Sequence, residues 1–597
     1  MKTTRREIMM FAGGSAVGVL FTPAPWRLIT DTALWSENWP GIPAPARGEI
    51  RARYTNCSLC SAGCAVRARC VGDRPVALAG VAGHPLSHGA LCPFGLAGHH
   101  LPYLPSRVKQ GPVKEAAAAV ADGIAKCGPA EYVVTLDLRP ARTASWTYRR
   151  AMAALRNGRY VTPSVDSSIA VDLAKARTVL SLGVPLLDGW GTPGNVMAAR
   201  PGFRLIQVDP VESRTASMAD QWLRIRPGSE DALAQGLAGT MTHAAAAGAT
   251  GLAESEIAAL AAHLEQNGPV LVLGSSRLAS TGRTVVTRRE TPVPAEWQKA
   301  APVTDLASLP DGSVRVLMVD ESAPGEYLPW KAIEKKLVAD NPVVVALAWS
   351  REGYGRHAQY VVPVGVYPEV AGDIPPAVDS VAATFRLSAP LVPAPAYVVK
   401  PEEFVAAAAG LSATGLSSTG LSIMDTLHER ADAIHKTGRG TLFTYADAKS
   451  VALKDVSAAD FWKALNAGGC WLDTAPGTPD DKAPAARFTA AAAELKPAEE
   501  SELPFVVVLN RELTPASPIL SKVYQESNLR LAPNRVALNS LCGLEDGTQV
   551  VFETLLGKCR VGVTLDAGIP PGVVQATASP AMLDLCAAGA RAKVVRA

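Results

Sequence analysis

Charge is scarce in this chain and almost cancels. Charged side chains make up 19% of 597 residues, and 58 Lys and Arg against 55 Asp and Glu leave a net +3. No basic stripe and no run of aromatics with arginine occurs, so no nucleic-acid partner is expected. Ten cysteines are too few for a disulfide scaffold at this length. No P-loop, Ser/His/Asp constellation or paired-carboxylate motif appears, so the acid–base machinery of those enzyme classes is missing. Past the N-terminus no apolar run reaches the roughly 20 residues of a bilayer span, and the body is expected to be soluble. Nor is the composition that of a disordered chain, since 48% of residues are hydrophobic. The length calls for roughly three or four domains.

The chemistry that is present gathers in one stretch. Cys57-Ser-Leu-Cys60-Ser-Ala-Gly-Cys64 is followed, after 27 residues, by Cys92-Pro-Phe-Gly. Three thiols so close together can close around one face of a compact inorganic cluster. A fourth returning from a distant loop completes the four-thiolate cage of a cubane 4Fe-4S cluster. Gly63 tolerates the tight or left-handed backbone expected against such a cluster. A four-cysteine zinc site, which more often shows two CxxC knuckles, and a disulfide pair are the alternatives. Cys70, Cys127, Cys470, Cys542, Cys559 and Cys586 are scattered and read as buried thiols. His84 and His88 read as loop residues, because the cysteines already make a full ligand set.

Residues 1–25 read as a targeting segment. Lys2, Arg5 and Arg6 precede the apolar run Ile8 to Phe21, and Thr4-Arg5-Arg6-Glu7-Ile8-Met9 fits the twin-arginine export pattern. An ordinary basic start on a short hydrophobic helix is the alternative. No convincing Ala-x-Ala cleavage site follows, so an uncleaved signal acting as an anchor stays open. Residues 26–50, with Trp26, Trp35, Trp39, Pro40, Pro43 and Pro45, read as an extended arm, and 51–110 as the cluster domain.

From 111 to 500 short β-branched runs alternate with Ala-rich helical stretches, the pattern of α/β domains with Rossmann-like parallel sheets. The runs start at Glu131, Thr178, Phe203, Pro269, Val314 and Pro342. In such sheets ligands bind beyond the carboxyl ends of the strands. Residues 411–435 and 474–500 read as surface connections or helical insertions. From 501 to 597, turns such as Glu545-Asp546-Gly547 lead into alternating strands, which predicts a C-terminal β-barrel.

Together these pieces resemble the catalytic subunits of the molybdopterin oxidoreductase family, the complex iron–sulfur molybdoenzymes. The resemblance rests on the twin-arginine leader and the cysteine ladder. It rests also on Ser181-Leu-Gly183-Val-Pro185 and on the long stretch from Gln207-Val-Asp209-Pro210 through Ala219-Asp220-Gln-Trp222 to Arg226-Pro227-Gly228. It implies that Gly183, Asp209, Arg226, Pro227 and Gly228 contact molybdopterin guanine dinucleotide. The chain departs from the family in two places. The stretch Gly158 to Ala170, where active members carry a metal ligand, has no cysteine; Ser167 and Ser168 there read as helix N-caps or, in an active enzyme, as the metal ligand. Two residues after the fourth cysteine, where the family tends to place Lys or Arg, stands Phe94.

A subgroup shares these traits: the metal-lacking, molybdoenzyme-like subunits of menaquinone reductase complexes and alternative complex III. That likeness implies an iron–sulfur electron-transfer subunit on the periplasmic side of the membrane. Its implied partners are a ferredoxin-like iron–sulfur subunit, a multihaem cytochrome c and an integral-membrane quinone-interacting subunit. The alternative is an active molybdenum or tungsten bis-pterin oxidoreductase.

Overall fold

A computed structural model describes residues 4–6, 8–10, 13–15, 48–163, 167–282, 285–323, 325, 327–411, 422–483, 502–510, 535–577, 579–586 and 590–597. The Trp/Pro-rich arm lies almost wholly outside the described residues, as does Asp166. Among the described residues no helix is long and apolar enough to cross a membrane.

The first unit is a three-stranded antiparallel sheet of β1 (Ile50–Asn56), β2 (Ala65–Val71) and β3 (Arg74–Gly80). Val66, Ala68 and Cys70 alternate with exposed arginines along β2, so one face of the strand is apolar and buried. That face shares a core with the next unit: Cys57, Val66, Phe94 and Leu101 belong to the same buried cluster as Val133, Tyr148, Val316 and Val345. The loop carrying the cysteines is therefore set against a rigid wall.

That wall is a six-stranded sheet in the order Val303–Thr304, Gly158–Val161, Tyr132–Asp137, Val314–Asp320, Val343–Ala348, Tyr360–Pro363, parallel throughout. Its central strands are buried along almost their whole length, as a parallel sheet covered on both faces requires. A second parallel sheet joins Val270–Leu273, Thr178–Leu182, Arg204–Asp209 and Gln221–Arg224. All six apolar runs picked out in the sequence are strands of these two sheets.

One feature was not visible beforehand. A five-stranded antiparallel sheet is built on Ala383–Ser388, which pairs with Cys470–Asp473 and through it with Thr441–Thr444. Its strands are short and one carries a central arginine, so neither length nor apolarity announced them. Within 411–435, read as a surface connection or helical insertion, lies the helix Ile423–His435, which buries Ile423, Leu427, Ala431 and Ile434 against this sheet. The C-terminal unit is a closed six-stranded barrel from Phe505–Asn510 to Arg591–Arg596, filled by Val536, Val550, Phe552 and Val563. Closure leaves no free strand edge.

Candidate metal centre

The three clustered cysteines occupy the β1–β2 connection. Asn56 pairs with Ala65 across the hairpin, which pins both ends of the 57–64 loop. The Cys57 N–H donates to the Cys64 carbonyl at 2.9 Å and Gly63 N–H to the Cys60 carbonyl at 3.3 Å, so the loop turns back on itself. Cys92 comes from a separate segment, immediately before the short helix Pro93–Ala97. The N–H groups of Phe94 and Gly95 favour negative charge on its sulfur.

The four thiols act on one another. Burial, then the neighbouring Cys60 and Cys92, push Cys57 well above its ordinary range, and burial with Cys60, Cys57 and Cys92 does the same to Cys64. Burial and Cys60 raise Cys92 to about 11. Four such groups cannot ionise together without a positive partner. All ten cysteines are free, so no disulfide uses them. Among the described residues no three His, Cys, Asp or Glu side chains converge as a site for one metal ion. A cubane makes no such demand, since each of its irons takes its own thiolate. Two buried side chains near these sulfurs also carry donors without a protein partner: the Tyr367 hydroxyl, and Nε and Nη2 of Arg386. The donor set and the orphaned polar atoms fit an anionic iron–sulfur cluster.

Two arginines brace the loop. Arg139, beyond the end of the Tyr132–Asp137 strand, donates to the carbonyls of Ser58 and, at 2.8 Å, Cys60. Arg386, central in Ala383–Ser388 and fully buried, donates to the carbonyls of Ala62 at 3.0 Å and Gly63 at 2.6 Å. Gly63 does have a left-handed φ of +55°, but a protein group presses on it: a Cβ there would lie 2.6 Å from the Arg386 guanidinium carbon. Closeness to Arg386 is thus a reason for this glycine that its position beside a cysteine did not reveal.

The Arg139 end of the loop borders a cavity of about 280 Å³ lined by Ser58, Arg139, Arg142, Tyr367, Asp373 and Glu402. Arg142 bridges Asp137 and Asp320 at 2.8 Å each, and Tyr148 donates to Asp320 at 2.8 Å. Burial raises Glu402 to about 7, so a carboxyl group poised near neutrality faces the same space. These residues were overlooked in the sequence. The available signal was Asp137 closing an apolar strand with Arg139 and Arg142 directly after it.

The residues carried over from the family resemblance lie apart from the thiols and only partly together. Gly183 and Asp209 close neighbouring strands of the second parallel sheet. Gly183 has φ +69° and open space where a Cβ would stand. The Asp209 carboxylate accepts from Ser213 at 2.6 Å and Gln207 at 2.8 Å, and burial raises it to about 6. Arg226 is exposed and donates to the Gly248 carbonyl at 2.6 Å, while Pro227 and Gly228 form the turn before the helix Glu230–Leu237. Ser167 and Ser168 are not helix caps: they form a turn before the strand Ile169–Val171. The Ser168 hydroxyl accepts from Arg288 at 3.0 Å. His84 is buried, accepts from the Ser87 N–H at 3.0 Å and is lowered to about 3, chiefly by burial, so it stands neutral.

The described residues thus combine a cysteine-bearing antiparallel unit, two parallel α/β sheets and a closed barrel. Residues 50–103 match the family described as Molybdopterin oxidoreductase Fe4S4 domain, which favours the cluster over zinc or a disulfide. Among curated proteins the chain is similar to the menaquinone reductase molybdopterin-binding-like subunit of Nitratidesulfovibrio vulgaris, at 31% identity over 282 residues, 41% of each chain. It is also similar to a sulfite dehydrogenase subunit of Allochromatium vinosum, at 25% over 224 residues, 31% of this chain and 23% of that one. The similarity thus spans less than half the length of either relative. The fold is shared with acetylene hydratase from Pelobacter acetylenicus: TM-score 0.66, 14% identity, covering 91% of this chain and all of that one.

Proposed function

We propose that this chain is the iron–sulfur electron-transfer subunit of a membrane-associated, periplasmic, quinone-linked oxidoreductase complex, and that it works without molybdenum. The observation that carries the reading is the group of four interacting thiols, three on the β1–β2 loop and the fourth at Cys92, in a chain similar to a menaquinone reductase subunit. When bound, a 4Fe-4S cluster supplies one-electron transfer. The chain's own residues hold the cluster and keep water away: Cys57 and Cys64 are each 4% exposed, and Phe94 packs in the same core at 2%. No proton-transfer group is required of them. The lack of a cysteine between 158 and 170, and the engagement of the Ser168 hydroxyl by Arg288, support a metal-free pterin region. Export by the twin-arginine route, and partners comprising a ferredoxin-like iron–sulfur subunit, a multihaem cytochrome c and an integral-membrane quinone-interacting subunit, complete the proposal. Attachment to the membrane comes through these partners or through an uncleaved signal.

The second reading, a molybdenum or tungsten bis-pterin enzyme, draws on the open space at Gly183 and the arginine-lined cavity beside the thiols. Elemental analysis of the native protein separates the two. About four irons per chain with no molybdenum or tungsten is the expected result; stoichiometric molybdenum or tungsten refutes the first reading.

A further inference from the structure

Arg386 is a buried cation with no acidic partner among the described residues. It is 0% exposed. One amino group is spent on the carbonyls of Ala62 and Gly63, while Nε and Nη2 have no partner. Burial disfavours the charged form of three titratable groups that face it. His84 is lowered to about 3, Cys470 is raised to about 12 and Tyr445 is raised well above its usual range, in each case mainly by burial. The remaining neighbour is Cys64, one residue beyond the carbonyls that hold the guanidinium. A buried charge with no counter-charge is strongly destabilising. The fold nevertheless fixes this one in place and leaves a glycine where any side chain would collide with it.

We propose that Arg386 is a positioning residue that supplies the compensating positive charge for the cluster held by Cys57, Cys60, Cys64 and Cys92, and thereby raises its reduction potential. The inference rests on the cluster reading above. Reduction adds one electron to a group already made anionic by its four thiolates. A fixed cation in a low-dielectric interior therefore stabilises the reduced form more than the oxidised one. Phe94, apolar and buried, offers no such charge on the Cys92 side, so the task falls to the β1–β2 side of the site.

The test is an anaerobic potentiometric titration of the full-length, iron-loaded protein, with the reduced-cluster signal read by electron paramagnetic resonance. Arg386→Gln should lower the midpoint so that the reduced-to-oxidised ratio at fixed poise falls at least tenfold, about 59 mV for one electron. Arg386→Lys, which keeps the charge, should stay near the unchanged protein. A fully iron-loaded Arg386→Gln variant with an unmoved midpoint overturns the inference. Should that variant not retain iron, Gly63→Ala decides: its Cβ displaces the guanidinium without removing it. A lowered midpoint then supports the role and an unchanged one overturns it. The cluster reading fails separately, if the unchanged protein gives no reduced-cluster signal at all.

Discussion

A buried ion pair ties the cysteine-bearing unit to the segment that follows the last strand of the central sheet. Arg107 and Glu369 meet fork to fork at 2.5 and 2.6 Å, with side chains 1% and 2% exposed. Arg107 also donates to the Pro102 carbonyl at 3.1 Å, and Glu369 follows Tyr367, which packs beside Cys57 and Cys64. Removing one partner leaves the other charged and dry, a cost of about 3–5 kcal/mol, whereas replacing both with apolar groups is often near neutral. The double replacement here still strands the Val366 N–H, which now reaches Glu369 at 3.3 Å, at about 1–3 kcal/mol. Arg107→Met and Glu369→Leu should therefore each cost more than the pair together. Urea denaturation provides the measurement, followed by far-ultraviolet circular dichroism and by the visible absorbance of the cluster. Each single variant should lose cluster absorbance at clearly lower urea, and the double should recover much of the loss. Simple additivity of the two single costs would refute the argument, because it would mean that neither charge depends on the other.

Other outcomes follow from the same geometry. Cys60→Ser should abolish the reduced-cluster resonance; an unchanged spectrum removes Cys60 from the ligand set. Burial raises Glu321 to about 8 from its ordinary 4.5, so between those values the folded protein holds a proton that the unfolded chain has released. Its contribution to stability is full below about 4.5 and is lost as pH rises through about 8, with a slope of up to about 1.4 kcal/mol per pH unit. Glu321→Gln should flatten that slope in denaturation midpoints taken from pH 5 to 9, and an unaltered slope counts against the burial argument. Ser457 caps the helix Ala458–Asn466 through the Asp460 N–H at 3.1 Å. Ser457→Ala should cost about 1 kcal/mol with no change in iron content, and a loss of iron there would contradict a purely local capping role.

Much of this could be read along the chain because its signals are local. A parallel strand buried on both faces must be a short β-branched run, so Tyr132–Asp137, Thr178–Leu182 and Val314–Asp320 announced themselves. The cysteine ladder stood out for the same reason: ligand spacing is a property of sequence, and it pointed to a cluster before any coordinate did. The barrel after Leu503 also obeyed simple alternation and turn rules.

Tertiary structure alone decided what surrounds the thiols. Arg386 lies 322 positions after Cys64 in the numbering, on an antiparallel strand whose pattern gave no warning, and nothing local marks it as the neighbour of Gly63. The same holds for Arg139, Tyr367 and Glu402, which reach one cavity from separate segments. Conversely, Arg226 sits in a motif legible from sequence, yet the fold turns it toward Gly248. The donor atoms of a metal centre are fixed by spacing along the chain. Its charge environment is a sum over groups brought together by packing, and that sum exists only in the folded molecule.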